Sequence, residues 1–334
     1  MKKAAIIGCG GISRVHAWVL SNMEDANLTA LCDIRPDKAR ELAREQLEGK
    51  KIFFCEDYRE LFDKDVDVVH ICTPHYLHAP MAVELLNHGK AVFMEKPCAI
   101  STEQFEELKK ADSANPGKLG FCFQNRYNES IRTMEKLVTD GEIGTVIGGR
   151  AFVTWKRDND YYEVSDWKGR IDKEGGGVLI NQSIHTLDLL LKFLGEPETV
   201  KASITNHHSD IEAEDTVEAW MSFRDGKRAC FYASNGYVTD APVFLEIQGT
   251  KGRLTMSGSN LALWPDDGQP RTFSKESAGS IGKVYWGNGH RACIRDYYHC
   301  LEEGISYRNN LASVERVFKV IMDIYGQTRK KIYK

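Results

Sequence analysis

Over the first 123 residues, short runs of consecutive apolar positions alternate with stretches in which apolar residues recur every three or four places. The runs at 4–7, 28–33, 51–53, 66–71, 91–94 and 119–123 predict strands. The first of them, Ala4-Ala5-Ile6-Ile7, is fully apolar, as a strand buried on both faces of a sheet is. Helical spacing lies between them: Val15, Trp18, Val19 and Leu20, then 37–47, 57–62, 78–88 and 101–113. Such alternation predicts an α/β domain over 1–123, a doubly wound parallel sheet whose ligands sit at the carboxyl ends of the strands. The segments falling at those ends are 8–13, Asp33, Thr73-Pro74, Glu95-Lys96-Pro97 and Gln124-Asn125-Arg126.

After Gln124 the period shortens. Segments near 145–155, 198–206, 214–223, 228–235, 242–248 and 251–256 alternate apolar with polar residues, as in Ala219-Trp220-Met221-Ser222-Phe223. They predict a mainly antiparallel sheet with one wetter face, in a second α/β domain over 124–334. Helical patterns occupy 128–138, 175–194, 290–303 and 309–327, and the helix from 175 is expected to pack on that sheet. The stretch 265–289, rich in Gly, Ser and Asp, reads as a mobile loop.

Composition narrows the function. A net charge of −4 over 334 residues gives no field to gather nucleic acid or an anionic membrane. No run approaches the roughly 18 apolar residues of a membrane span. Nine scattered cysteines without a CxxC pair argue against a disulfide framework or zinc ribbon and for a reducing, cytoplasmic setting.

The first candidate chemistry is a dinucleotide site. Gly8-Cys9-Gly10-Gly11-Ile12-Ser13 follows the first strand and opens a helix, and Asp33 ends the next strand 22 residues after Gly11. Glycines admit a pyrophosphate to the helix N-terminus, and the acid accepts from the adenosine ribose hydroxyls. Asp33 favours NAD, since its charge repels a 2′-phosphate; Arg35, two residues on, keeps NADP open. The second is Gly175-Gly176-Gly177 leading into Asn181, His185 and Asp188, a polar stripe at helical spacing beside the apolar stripe of Leu187, Leu190, Leu191 and Leu194. His185 is either a hydrogen-bonded core histidine or a general acid/base, and the dinucleotide unit upstream favours the second. Lys96 at a strand end suits stabilisation of a developing alkoxide. Tyr161, Tyr162, Trp155 and Trp167 read equally as a sugar-stacking wall or as core. Arg126 reads equally as a substrate or cofactor contact and as a domain-hinge salt bridge. His75 and His78, with His70 and His88 near them, lack a carboxylate or cysteine to complete a ligand set, so no metal is expected.

Gly8-x-Gly10-Gly11-Ile12, Cys72-Thr73-Pro74 with His78, Glu95-Lys96-Pro97, Tyr161-Tyr162, Trp167-Lys168-Gly169 and the stretch from Glu174 through His185 to Asp188 resemble the Gfo/Idh/MocA oxidoreductases. The resemblance spans nearly the whole chain. It implies a Rossmann domain followed by a domain with a large open sheet whose face builds homodimers or homotetramers. It also implies hydride transfer between nicotinamide C4 and a hydroxyl-bearing carbon of a sugar, cyclitol or sugar derivative, a nucleotide sugar included. Lys96 matches the family's lysine and His185 its catalytic histidine. The candidate cofactor residues are then Gly8, Gly10, Gly11, Ile12, Asp33, Arg35, Thr73, Pro74, His78, Glu95 and Lys96, the candidate substrate residues Arg126, Tyr161, Trp167, Asn181 and His185, and the candidate catalytic residues Lys96, His185 and Asn181. One position departs: many members carry Asp where this chain has Asn181. An amide cannot take up a proton, but it can orient an imidazole or bind a substrate hydroxyl. Two other readings stay open: a regulatory protein that senses nicotinamide nucleotide without turning it over, and a lyase or glycosidase that oxidises its substrate transiently.

Overall fold

The computed structural model describes residues 1–208, 210–273 and 289–332. The chain divides into two compact units, Met1–Gln124 with Asn288–Val314, and Asn125–Gly287 with Glu315–Lys334. A segment from far downstream therefore belongs with the N-terminal sheet, which a single division at 123/124 does not contain.

In the first unit the chain runs β1 (Lys2–Ile7), α1 (Ser13–Ser21), β2 (Ala26–Cys32), α2 (Pro36–Gln46), β3 (Phe53–Cys55), β4 (Val68–Ile71), α3 (His78–Asn87), β5 (Ala91–Met94), α4 (Thr102–Ala114) and β6 (Leu119–Phe121). The strands form one parallel sheet in the order β3-β2-β1-β4-β5-β6. Every residue of β4 and β5 is buried, His70 of β4 included, as expected of central strands covered on both faces. Strand order reverses beside β1, and a crevice outside the carboxyl ends of β1 and β4 is where such sheets receive ligands. The strand expected at 51–53 lies two residues later, at Phe53–Cys55.

The second unit contains α5 (Glu129–Thr139), β7 (Val146–Thr154), α6 (Asn159–Glu163), α7 (Ile171–Glu174), α8 (Ile184–Leu194), β8 (Thr199–Thr205), β9 (Thr216–Ser222), β10 (Arg228–Ser234), β11 (Phe244–Gly249), β12 (Gly252–Ser257), β13 (Asn260–Pro265) and β14 (Arg271–Thr272). Among the described residues its sheet has eight strands in the order β14-β13-β12-β11-β7-β10-β9-β8, antiparallel at every pairing but β7 with β10. Helix α8 lies on β7 and β11. In β9, Val217, Ala219 and Met221 are buried while Glu218 and Trp220 face outward, the period of two realised as one dry face and one wet one.

Two expectations change here. The helix expected from 175 begins only at Ile184. The backbone donors before it are taken from outside the helix: Glu214 accepts from Gly177 N at 3.0 Å and from Leu179 N at 3.1 Å, and its carbonyl accepts from Val178 N at 3.0 Å. The stretch 265–289 also holds β14, and its residues 274–288 lie outside those described, as does the mobility expected of them.

Two further helices, α9 (Gly289–Glu303) and α10 (Leu311–Ile332), complete the described chain. Tyr297 of α9 donates to the carbonyls of Val92 and Lys118 (3.0 and 2.6 Å), and Phe121 N donates to Asn309 O (3.0 Å), so this returning segment covers the β6 edge. Among the described residues no helix is long and apolar enough to cross a membrane.

Candidate active site

β1 turns into α1 through Gly8, whose φ of +85° is one that L side chains rarely adopt; a Cβ there would lie 2.7 Å from Cys72 O. At Gly10 and Gly11 a Cβ would meet nothing within 4 Å, so the backbone there borders open space. Ser13, standing where a third glycine is common, is buried and donates to Gly10 O at 2.6 Å, tying the turn to the helix. Ile12 gives α1 no side-chain cap, which leaves the first backbone N–H groups of the helix available to an anion. Asp33, 9% exposed, accepts from Cys9 N through Oδ2 (2.7 Å) and from Arg35 N through Oδ1 (2.8 Å). Its carboxylate is thereby held at the end of β2, and Arg35 itself is exposed. At the end of β4 the Thr73 hydroxyl is buried and makes no hydrogen bond among the described residues. An uncapped helix, open space over two glycines, a fixed acid and an orphaned hydroxyl on one sheet edge fit a dinucleotide.

β5 is followed by Glu95 and Lys96 and then by a cis bond to Pro97. Lys96 is half-buried. Both ring nitrogens of His78 lie 2.9 Å from carbonyl oxygens, Nδ1 from Pro97 O and Nε2 from Thr73 O, so this side chain joins the ends of β4 and β5. A neutral imidazole has one N–H and donates to one of the two at a time. Burial lowers the pKa of His78, against both carbonyls.

Glu95 is the head of a buried chain that the sequence did not reveal. His16 Nε2 lies 3.0 Å from its Oε1, His16 Nδ1 lies 2.8 Å from His70 Nδ1, and His70 Nε2 lies 3.0 Å from the Tyr298 hydroxyl. Burial pushes the Glu95 carboxyl up, but the His16 hydrogen bond and charge outweigh it and hold the group below the usual carboxylate range. Burial pulls His70 well below its ordinary value and brings His290 down to about 4. The ligand atoms of His16, Glu95 and Cys122 lie within 4.8 Å of one another, the set among the described residues with metal-ligand chemistry. It is not the His75/His78 cluster considered from the sequence. His16 and Glu95 already bond each other.

In the second unit the glycine-rich strap 175–183 carries Asn181 to the foot of α8. At Gly177 a Cβ would sit 1.9 Å from Glu214 O, so only glycine lets the strap pass. Glu214 also accepts from the Tyr325 hydroxyl at 2.8 Å. Glu174, fully buried, accepts from Asn181 Nδ2 and from Gly169 N, both at 2.5 Å. Asn181 therefore precedes the helix, and it does not form one stripe with His185 and Asp188. His185 stands half-buried in the first turn of α8. Asp188, a turn later, takes a bidentate ion pair from Arg126, Nε at 2.7 Å and Nη2 at 2.5 Å, with the two side chains 7% and 5% exposed. Arg126 thus makes an ion pair inside the second unit. Tyr161 accepts from Gln182 Nε2 at 3.1 Å, and the Lys168 ammonium lies 3.8 Å from its ring centroid. Trp167 is half-buried, whereas Tyr162 and Trp155 are buried.

The sequence did not point to Gln182, whose Oε1 is buried without a partner among the described residues, nor to Glu174 and Glu214 as braces. A buried acid looks like any surface acid until the strap that it holds is in place.

Residues 2–120 match an oxidoreductase family with an NAD-binding Rossmann fold, and 131–255 match the GFO/IDH/MocA C-terminal domain. The chain belongs to the Gfo/Idh/MocA family. Its first unit is thus an NAD-binding domain. Among family relatives, inositol 2-dehydrogenase of Rhizobium meliloti (strain 1021) is 29% identical over 258 residues, 75% of this chain and 73% of that one. D-glucoside 3-dehydrogenase of Escherichia coli (strain K12) is 34% identical over 215 residues, 62% of this chain and 57% of that one. The fold matches the WlbA dehydrogenase of Bordetella pertussis, solved with NADH and UDP-GlcNAcA, with a TM-score of 0.86 at 23% identity, covering 99% of this chain and 97% of that one.

Proposed function

We propose that this family member is an NAD-dependent dehydrogenase that oxidises a secondary hydroxyl of a sugar, a cyclitol or a sugar derivative. The observation that carries the reading is His185: an imidazole half-buried on the first turn of a helix, behind a strap pinned by two buried carboxylates. Support comes from relatives named as dehydrogenases of inositol and of a glucoside. The backbone N–H groups at the start of α1, with Gly10 and Gly11, hold the pyrophosphate; Asp33 holds the adenosine ribose; Thr73, Pro74, His78 and Glu95 shape the nicotinamide end. NAD, when bound, supplies the hydride acceptor. Lys96 stabilises negative charge on the reacting oxygen through its ammonium. His185 takes the hydroxyl proton, for which an imidazole has a suitable basicity near neutral pH. Asn181, Gln182, Tyr161 and Trp167 bind the sugar, and the cytoplasm is the expected compartment.

The test is absorbance at the NADH band with NAD and a panel of inositols, aldoses, glycosides and nucleotide sugars. Steady NADH release with one of them supports the reading. Tight nucleotide binding without turnover of any would favour a sensor, and substrate cleavage without net NADH would favour a lyase or glycosidase.

A further inference from the structure

Glu174 is buried, belongs to the second unit with Asn181, and has no part in the chemistry described so far. A carboxylate can only accept, so its contact with Asn181 decides which end of that amide faces it. The NH₂ turns inward to Glu174 and the carbonyl oxygen turns away. The carboxylate is itself oriented, because its other oxygen accepts from the backbone N–H of Gly169 at 2.5 Å. We propose that Glu174 is a positioning residue that sets the polarity of Asn181, so that residue 181 offers the substrate an acceptor and selects a group that donates a hydrogen bond. The inference rests on Asn181 belonging to the substrate site of the proposed dehydrogenase. It makes the recognised feature a hydroxyl on the ring, in addition to the one oxidised.

Exchange of the two polarities tests this. In Glu174→Gln the N–H of Gly169 still requires an acceptor, so the new side chain turns its oxygen to Gly169 and its NH₂ to residue 181. Asn181 must then flip and present its own NH₂ outward. In Asn181→Asp two carboxylates meet, and like charges in contact cannot both stay ionised. In the double variant the NH₂ of the introduced glutamine donates to the introduced aspartate, and the outward group is an acceptor oxygen again.

With a substrate turned over by the wild type, KM is measured for all four proteins, together with KM for the analogues deoxygenated at each non-reacting carbon. One hydrogen bond of ordinary strength is worth about tenfold. The wild type should lose about tenfold in KM against one deoxy analogue, with kcat little changed. Glu174→Gln, isosteric and therefore the variant least prone to misfold, should bind the parent sugar about tenfold more weakly and lose that discrimination. Asn181→Asp should be weakened likewise, and the double variant should recover to within about threefold of the wild type, the signature of direct coupling. The inference is overturned if Glu174→Gln keeps the wild-type discrimination, or if a folded double variant is no better than the worse single. A wild type that turns over no sugar with NAD removes the proposed function, and this inference with it. A wild type that turns one over while Glu174→Gln keeps the discrimination removes the inference alone.

Discussion

His185→Ala should lower kcat by about 10²–10⁴-fold, the ordinary contribution of a general acid/base, and change NAD affinity far less, because the residues proposed to hold the cofactor are others. Stopped-flow turnover and a fluorescence titration with NADH measure the two quantities, and near-normal kcat would hand the base role to Lys96 or Tyr161. Asp33→Ala should weaken NAD by roughly 10- to 100-fold, as expected for loss of a charged acceptor, and narrow the gap to NADP. Part of that loss comes from the turn itself, since the same carboxylate fixes Cys9 N and Arg35 N. Tighter binding of NADP than of NAD by the wild type would reverse the assignment. The local setting of the candidate residues was legible where type and position announce it, as with glycines after an apolar strand or an acid ending the next one. It was illegible where the role depends on a long-range partner. Arg126 and Asp188 are 62 residues apart, and Glu214 reaches back 37 residues to Gly177.

At the scale of elements, two glycine substitutions should separate binding from folding. Gly11→Ala adds a methyl to open space, so thermal stability should hold while NAD binding weakens. Gly177→Ala drives a Cβ into Glu214 O and should cost about 3 kcal/mol or more of stability, read from a denaturant midpoint. Equal midpoints for the two variants would refute the account of the strap. The buried imidazoles beside Glu95 make a pH prediction. His290 and His70 are neutral in the folded unit and become charged in the unfolded chain below their ordinary value of 6.5. As pH falls from 6.5 towards about 4, the unfolded state binds protons that the folded state refuses. Stability should then fall by about 1.4 kcal/mol per pH unit for each such group. Glu95, held low, adds a loss of the same sign below its ordinary 4.5. Urea midpoints between pH 7.5 and 4.5 measure the slope, and His290→Gln should flatten it; an unchanged slope would mean that the ring is already charged in the fold. Element types were largely readable from the periods of two and 3.6. The start of α8 was not, because a helix beginning depends on who takes its first donors, here Glu214.

At the scale of the molecule, the eight-stranded sheet covers one face with α8 and leaves Trp220 and Trp264, 48% and 38% exposed, on strands β9 and β13. An open sheet with apolar residues on its uncovered face is expected to pair with another copy, giving a homodimer or homotetramer. Light scattering at micromolar concentration should return a multiple of the chain mass, and a monomer would defeat the expectation. The division of the chain into units was only half legible, because a helical period at 290–303 carries no mark of the sheet it will join. That return has a consequence for biosynthesis. Strand β6 is the edge of the parallel sheet, and Tyr297 and Asn309, which bond to its neighbourhood, emerge from the ribosome more than 170 residues later. At about 5–20 residues per second the nascent Rossmann sheet spends on the order of 10 s with that edge uncovered. During that interval an unpaired strand is a template for pairing with other chains, so this protein's yield should depend on elongation speed and on chaperones that shield nascent strands.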